Sequence, residues 1–173
     1  MIGDLRLQIR LSLLIAVGLT LHVFEAFLPG LPWQKPGLAN LVTLLALFQF
    51  GFRAALLVAT MRIILGALVL GTLFNPVFII GLSSGLVATI VMAAVHHAAP
   101  RCFTIVGISL LGAFVHSLAQ IAVAGLIVVQ SFRILYLLPI MLLSSVFSGS
   151  LVGFFAHFIL IKVKNLDVKG SQS

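Results

Sequence analysis

Six apolar stretches dominate this chain, at approximately Leu11–Leu28, Leu38–Phe50, Ala54–Gly71, Val77–Val95, Phe103–Val129 and Ile134–Ile161. Pro, Gly and charged residues fall between them. Crossing the hydrocarbon core of a bilayer, about 30 Å, takes about 20 residues of helix, and most of these stretches are near that length or beyond it. Inside that core every backbone N–H and C=O must be bonded internally, so apolar runs of this kind predict helices. The expected fold is an all-α integral membrane protein, a compact bundle of about six transmembrane helices forming one domain over residues 1–173. The second stretch is short, since thirteen residues rise only about 20 Å. The fifth and sixth exceed the need and should tilt or project.

Composition agrees. The chain is 62% hydrophobic, with ten Lys and Arg but only three Asp and Glu among 173 residues, and its mean hydropathy is +1.31. A soluble domain cannot hide that much apolar surface. The loops are short, so a soluble activity such as nucleotide hydrolysis would have to come from a partner. A formal charge of +7 invites a nucleic-acid reading, but the basic residues sit scattered at span ends and form no patch. Cys102 is the only cysteine, which removes a disulfide framework and a cysteine metal site. Met1–Leu28 has Arg6 and Arg10 ahead of a leucine-rich core, as a signal peptide would. It lacks a small-residue cleavage site and ends in Glu25-Ala26-Phe27-Leu28-Pro29, so a retained first helix is expected.

Basic residues set the expected orientation. With the N-terminus cytoplasmic, the inner segments carry Arg6, Arg10, Arg53, Arg101, Lys162, Lys164 and Lys169, and the outer ones only Lys35 and Arg133. Trp33 in the outer loop suits an interfacial aromatic. Both termini are therefore expected inside.

Arg62 breaks the pattern, because it lies at the middle of an apolar run with no other charge. A cation at the bilayer centre costs roughly 2.5–3.5 kcal/mol on insertion scales, so it normally faces a protein interior and marks function. Span direction places other polar residues near it. His22 and Glu25, three apart, share a face in the outer half of the first span. His116 and Gln120 lie on a Gly112, His116, Gln120, Ala124 stripe of the fifth, Asn40 begins the second, and Asn75 follows the third. The alternatives are local: Glu25 neutralising Arg62, Asn40 as a helix cap, Asn75-Pro76 as a turn, His116 and Gln120 as interhelical glue. Together these residues point to a pocket open to the outside. His157, near the inner end of the sixth span, stands apart as an interfacial residue.

Small residues recur at helical spacing in Gly81-x-x-x-Gly85, in Ser145, Gly149 and Gly153, and in Ser12, Ala16 and Thr20. Such stripes let helices approach closely, and one of them can serve a neighbouring subunit. Catalytic chemistry is not expected. Only Asp4, Glu25 and Asp167 are acidic, so there is no aspartate cluster to hold magnesium on a diphosphate. Gly66–Thr72 lacks the lysine of a phosphate-binding loop, and His96-His97 has no partner carboxylate for a metal. No cofactor is expected.

The segment Lys35-Pro36-Gly37-Leu38-Ala39-Asn40-Leu41-Val42-Thr43-Leu44-Leu45-Ala46-Leu47 is followed by Arg62-Ile63-Ile64-Leu65-Gly66 and Gly71-Thr72-Leu73-Phe74-Asn75-Pro76. Together they resemble the bacterial heptaprenyl diphosphate synthase component I family, also called the Gx transporter family. Glu25 before Leu28-Pro29 and Ser83-Ser84-Gly85, where that family usually reads Ser-Gly-Gly, fit as well. The likeness covers most of Leu11–Met92. It implies a bacterial cytoplasmic-membrane protein related to the substrate-binding S components of energy-coupling factor transporters. Those are six-helix proteins that take up a small molecule near the outer face and work with a coupling membrane subunit and paired ATPases. By that likeness Ser12, Ala16 and Thr20 would dock the coupling subunit, though the usual Ala-x-x-x-Ala spelling is absent. The family name implies instead a noncatalytic membrane subunit beside a soluble prenyl synthase. In the first case Arg62 would anchor an anionic or polar head group, with His22, Glu25, Asn40, Asn75, His116 and Gln120 around it, and the family name points to an isoprenoid or other amphipathic ligand against the apolar walls. A passive structural subunit is the third alternative.

Overall fold

Proline, glycine and short polar side chains decide where the helices begin and end. The computed structural model describes residues 2–28, 37–100 and 102–170. Trp33, Lys35 and Arg101, used above for orientation, lie outside the described residues, as does the Lys35-Pro36 start of the quoted segment. Among the described residues six α-helices follow one another: α1 Ile2–Phe27, α2 Leu38–Phe50, α3 Phe52–Val69, α4 Pro76–Ala98, α5 Ile105–Ala124 and α6 Leu138–Gly170. A π-helical turn, Gly125–Val129, and a 3-10 helix, Phe132–Leu137, join the last two.

Five of these helices are long and apolar enough to cross a membrane, and α2 is the short one. Several bounds differ from the apolar stretches. Helix α1 starts at Ile2 rather than Leu11, because no helix breaker separates the Arg6–Arg10 segment from the run that follows. Helix α4 starts earlier, at Pro76, where a missing N–H costs nothing and Asn75 caps the turn by accepting from Val77 N–H at 3.1 Å. Thr104 caps α5 at the Gly107 N–H, moving its start to Ile105. Helix α6 continues past Ile161 to Gly170, so its end reaches beyond any bilayer core.

The connection between α2 and α3 is a single residue. Gly51 adopts φ 83° and ψ −172°, a region that only glycine reaches without strain. The chain reverses there, which lays α3 along α2. Helix α2 also packs on α1 and α6, while α4 bridges α3 and α5, and α5 lies along α6.

Helix α2 is the centre. Ala39, Val42, Thr43, Leu44, Leu45, Ala46 and Leu47 are all buried, as expected for a helix apolar all round. Every other helix carries large apolar side chains on its outside, such as Val17, Leu57, Val87, Phe114 and Phe147. That reversal of the soluble pattern marks a multi-pass membrane protein.

The small-residue stripe of α6 has a definite use. A Cβ on Gly153 would lie 2.7 Å from the Val106 Cα, and one on Gly149 would lie 2.9 Å from the Leu110 Cα. Helices α5 and α6 therefore meet backbone to backbone, and Ser109 Oγ donates to the Gly149 carbonyl at 2.7 Å.

Candidate functional site

Because the helices alternate in direction, one end of the bundle collects the last turns of α1 and α3, the first turns of α2, α4 and α6, and the later half of α5. A cavity of about 400 Å³ lies there. Its walls include His22, Glu25, Asn40, Arg62, His116 and Gln120. Six of the seven residues expected to bind a ligand thus meet around one space. Asn75 is the seventh and is not among the lining residues; its exposed side chain caps α4 instead.

Arg62 is buried, with 4% of its surface exposed. Its stem passes Gly18 of α1, where an added Cβ would lie 3.4 Å from the Arg62 Cδ. Its Nε–H donates to Thr43 Oγ1 at 3.2 Å, and Nη2 donates to Asn40 Oδ1. Asn40 and Thr43 are three apart on α2 and so share the face turned to α3. Asn40 is therefore not the cap of α2, a position held by Gly37.

Glu25 is buried too. Its Oε1 accepts from the Leu38 N–H, placing a carboxylate at the positive end of α2, and its charge also acts on Arg62. One acidic side chain thus closes the α1–α2 junction and balances the buried cation. Glu25 and Arg62 thus stand as opposite charges in one buried cluster, while Asn40 and Thr43 supply bonds to the guanidinium. Sequence reasoning missed Thr43: its spacing from Asn40 puts the two on one face of α2, but not which helix that face meets.

His22 enters the cavity only because position 66 has no side chain, since a Cβ there would fall on the imidazole ring. Across the space, α5 presents His116, Ser117 and Gln120, and α6 presents Ser145 and Ser148. The His116 Nδ1 is buried with no hydrogen-bond partner. Gly81 of α4 lines the cavity and has nothing within 4 Å of an added Cβ, so it keeps space open.

Other candidates fall elsewhere. His96 packs on Phe48 at the opposite end, with ring centroids 4.4 Å apart, and His157 and Cys102 are exposed. Among the described residues, no group of three His, Cys, Asp or Glu stands close enough to hold a metal. Ser12, Ala16 and Thr20 lie exposed along α1, with the Thr20 hydroxyl turned back to the Ala16 carbonyl at 3.0 Å.

A sequence profile of the family described as heptaprenyl diphosphate synthase component I matches residues 14–159. No curated protein and no solved structure matches the chain.

Proposed function

This chain belongs to the heptaprenyl diphosphate synthase component I family, and from that premise and the polar chamber we propose that it is a solute-binding membrane subunit of an uptake system. The observation that carries this reading is Arg62. A buried guanidinium, bonded to Asn40 and Thr43, stands beside a 400 Å³ space rather than in solid side-chain contact. Small-molecule sites have this character, an apolar wall with a few fixed polar groups. In this reading Arg62 and Asn40 hold the head of the solute, His22, His116 and Gln120 supply further hydrogen bonds, and Glu25 keeps the cation in register.

The chamber faces the outside of the cytoplasmic membrane in the proposed orientation, and both termini face the cytoplasm. The exposed Ser12, Ala16 and Thr20 face of α1 receives a coupling membrane subunit, which works with ATPases. Transport would then deliver the solute from the outer end. The experiment is direct: small molecules retained through gentle purification are identified by mass spectrometry in wild type and Arg62→Ala. A solute present in the first and lost from the second supports the reading. Equal retention in both removes Arg62 from the mechanism.

The family description favours a second reading, a noncatalytic membrane subunit beside a synthase component. Co-purification with a soluble prenyl synthase, whose activity falls when this chain is deleted, supports it. A pull-down that instead brings ATPases and a coupling membrane protein supports the first.

A further inference from the structure

Resting on the solute-binding reading above, we propose that the chamber selects a compact, net-uncharged polar solute, neutral or zwitterionic, and rejects diphosphates. Among the described lining residues Arg62 and Glu25 are the only formal charges, and they are opposite. The cation is therefore balanced before a solute arrives. Two of its N–H groups are already engaged, by Thr43 and Asn40. A diphosphate would bring several negative charges into a site with one compensated cation, and burying uncompensated charge carries a heavy penalty.

The remaining lining points the same way. A site built for an anion presents mostly donors. This one mixes donors and acceptors: the Asn40 amide nitrogen donates, the Ser145 oxygen, whose proton goes to the Leu142 carbonyl, accepts, and Gln120, Ser117 and Ser148 carry both kinds of group. The buried, unpartnered His116 Nδ1 adds a ring nitrogen that a polar solute group can complete. Volume sets the size, because about 400 Å³ lies at the small end of the range of about 300–1,000 Å³ for small-molecule pockets. A polyisoprenyl chain does not fit inside whole. A carboxamide, a neutral heterocyclic base or an amino acid does, with an acceptor oxygen toward Arg62.

Thermal melting of the purified protein in detergent tests this with two probe sets. The first holds free amino acids, carboxamides and neutral nucleobases; the second holds inorganic, isopentenyl and geranyl diphosphate. At least one compound of the first set is expected to raise the Tm by about 5 °C at saturation, and none of the second. His116→Leu abolishes that shift, whereas His116→Asn, which restores an acceptor near the place of Nδ1, retains part of it. Glu25→Gln keeps an oxygen for the Leu38 N–H but unbalances Arg62, and moves the response toward monoanions such as acetate. A shift from the diphosphates, alone or alongside the first set, overturns the proposal while leaving solute binding intact. No shift from either set, with no small molecule retained through purification, overturns both.

Discussion

Arg62 is tolerated inside an apolar bundle because three neighbours share its demands. Thr43 and Asn40 accept its N–H groups, and Glu25 balances its charge. Arg62→Lys keeps the charge but loses the planar fork and the bond from Nε. It should lower stability by about 1.5–3 kcal/mol, the range for a hydrogen bond to a charged group. Arg62→Ala removes the cation that balances the buried Glu25 carboxylate, and should cost about 3–5 kcal/mol. Melting temperatures in detergent check the order: equal losses would mean that the charge contributes nothing without the guanidinium geometry. Gly66→Ala tests the site separately. Its Cβ falls where the His22 ring now lies, so the imidazole must leave the wall. Solute retention should drop at least tenfold while the helical content, read by circular dichroism, stays unchanged.

Glycine governs how the helices meet, in different ways at different positions. Gly51 is needed for its backbone alone, since nothing lies within 4 Å of an added Cβ. Gly51→Ala should therefore cost about 1–3 kcal/mol through φ and ψ strain, without any clash. Gly153 is needed for space. An added methyl meets the Val106 backbone at 2.7 Å, and Gly153→Ala should cost about 1–3 kcal/mol by forcing α5 and α6 apart. Gly81→Ala is the contrast, with free space at that position and a better helix former introduced. Its expected result is an unchanged or slightly raised Tm together with weaker solute retention, because the methyl enters the chamber. These three positions look alike in sequence, as glycines in or beside apolar runs. Backbone conformation at Gly51 and the approach of the neighbouring helix at Gly153 separate them.

Topology places the chamber and the sole cysteine at opposite ends of the bundle, since Cys102 follows the C-terminal end of α4 whereas Val77, Phe78, Ile80 and Gly81 near its start line the cavity. With the chamber outward, a membrane-impermeant maleimide should label Cys102 in inside-out vesicles and not in intact cells. The reverse labelling pattern would turn the protein over and place the chamber on the cytoplasmic side. The number and order of the helices, the short α2 and the isolation of Arg62 in an apolar run were legible in the chain, because bilayer thickness and charge desolvation act on local sequence. Five of the polar residues that gather with Arg62 could be anticipated from span direction and helical spacing, as His22 and Glu25 show. Asn75 could not be excluded that way, because its distance from the cavity depends on how α4 starts. Thr43 as a partner of Arg62, the capping of α2 by Glu25 and the void kept by Gly81 were decided only by tertiary structure. They depend on which faces of separate helices meet, and helix periodicity leaves that rotation open when a helix such as α2 is apolar on every side.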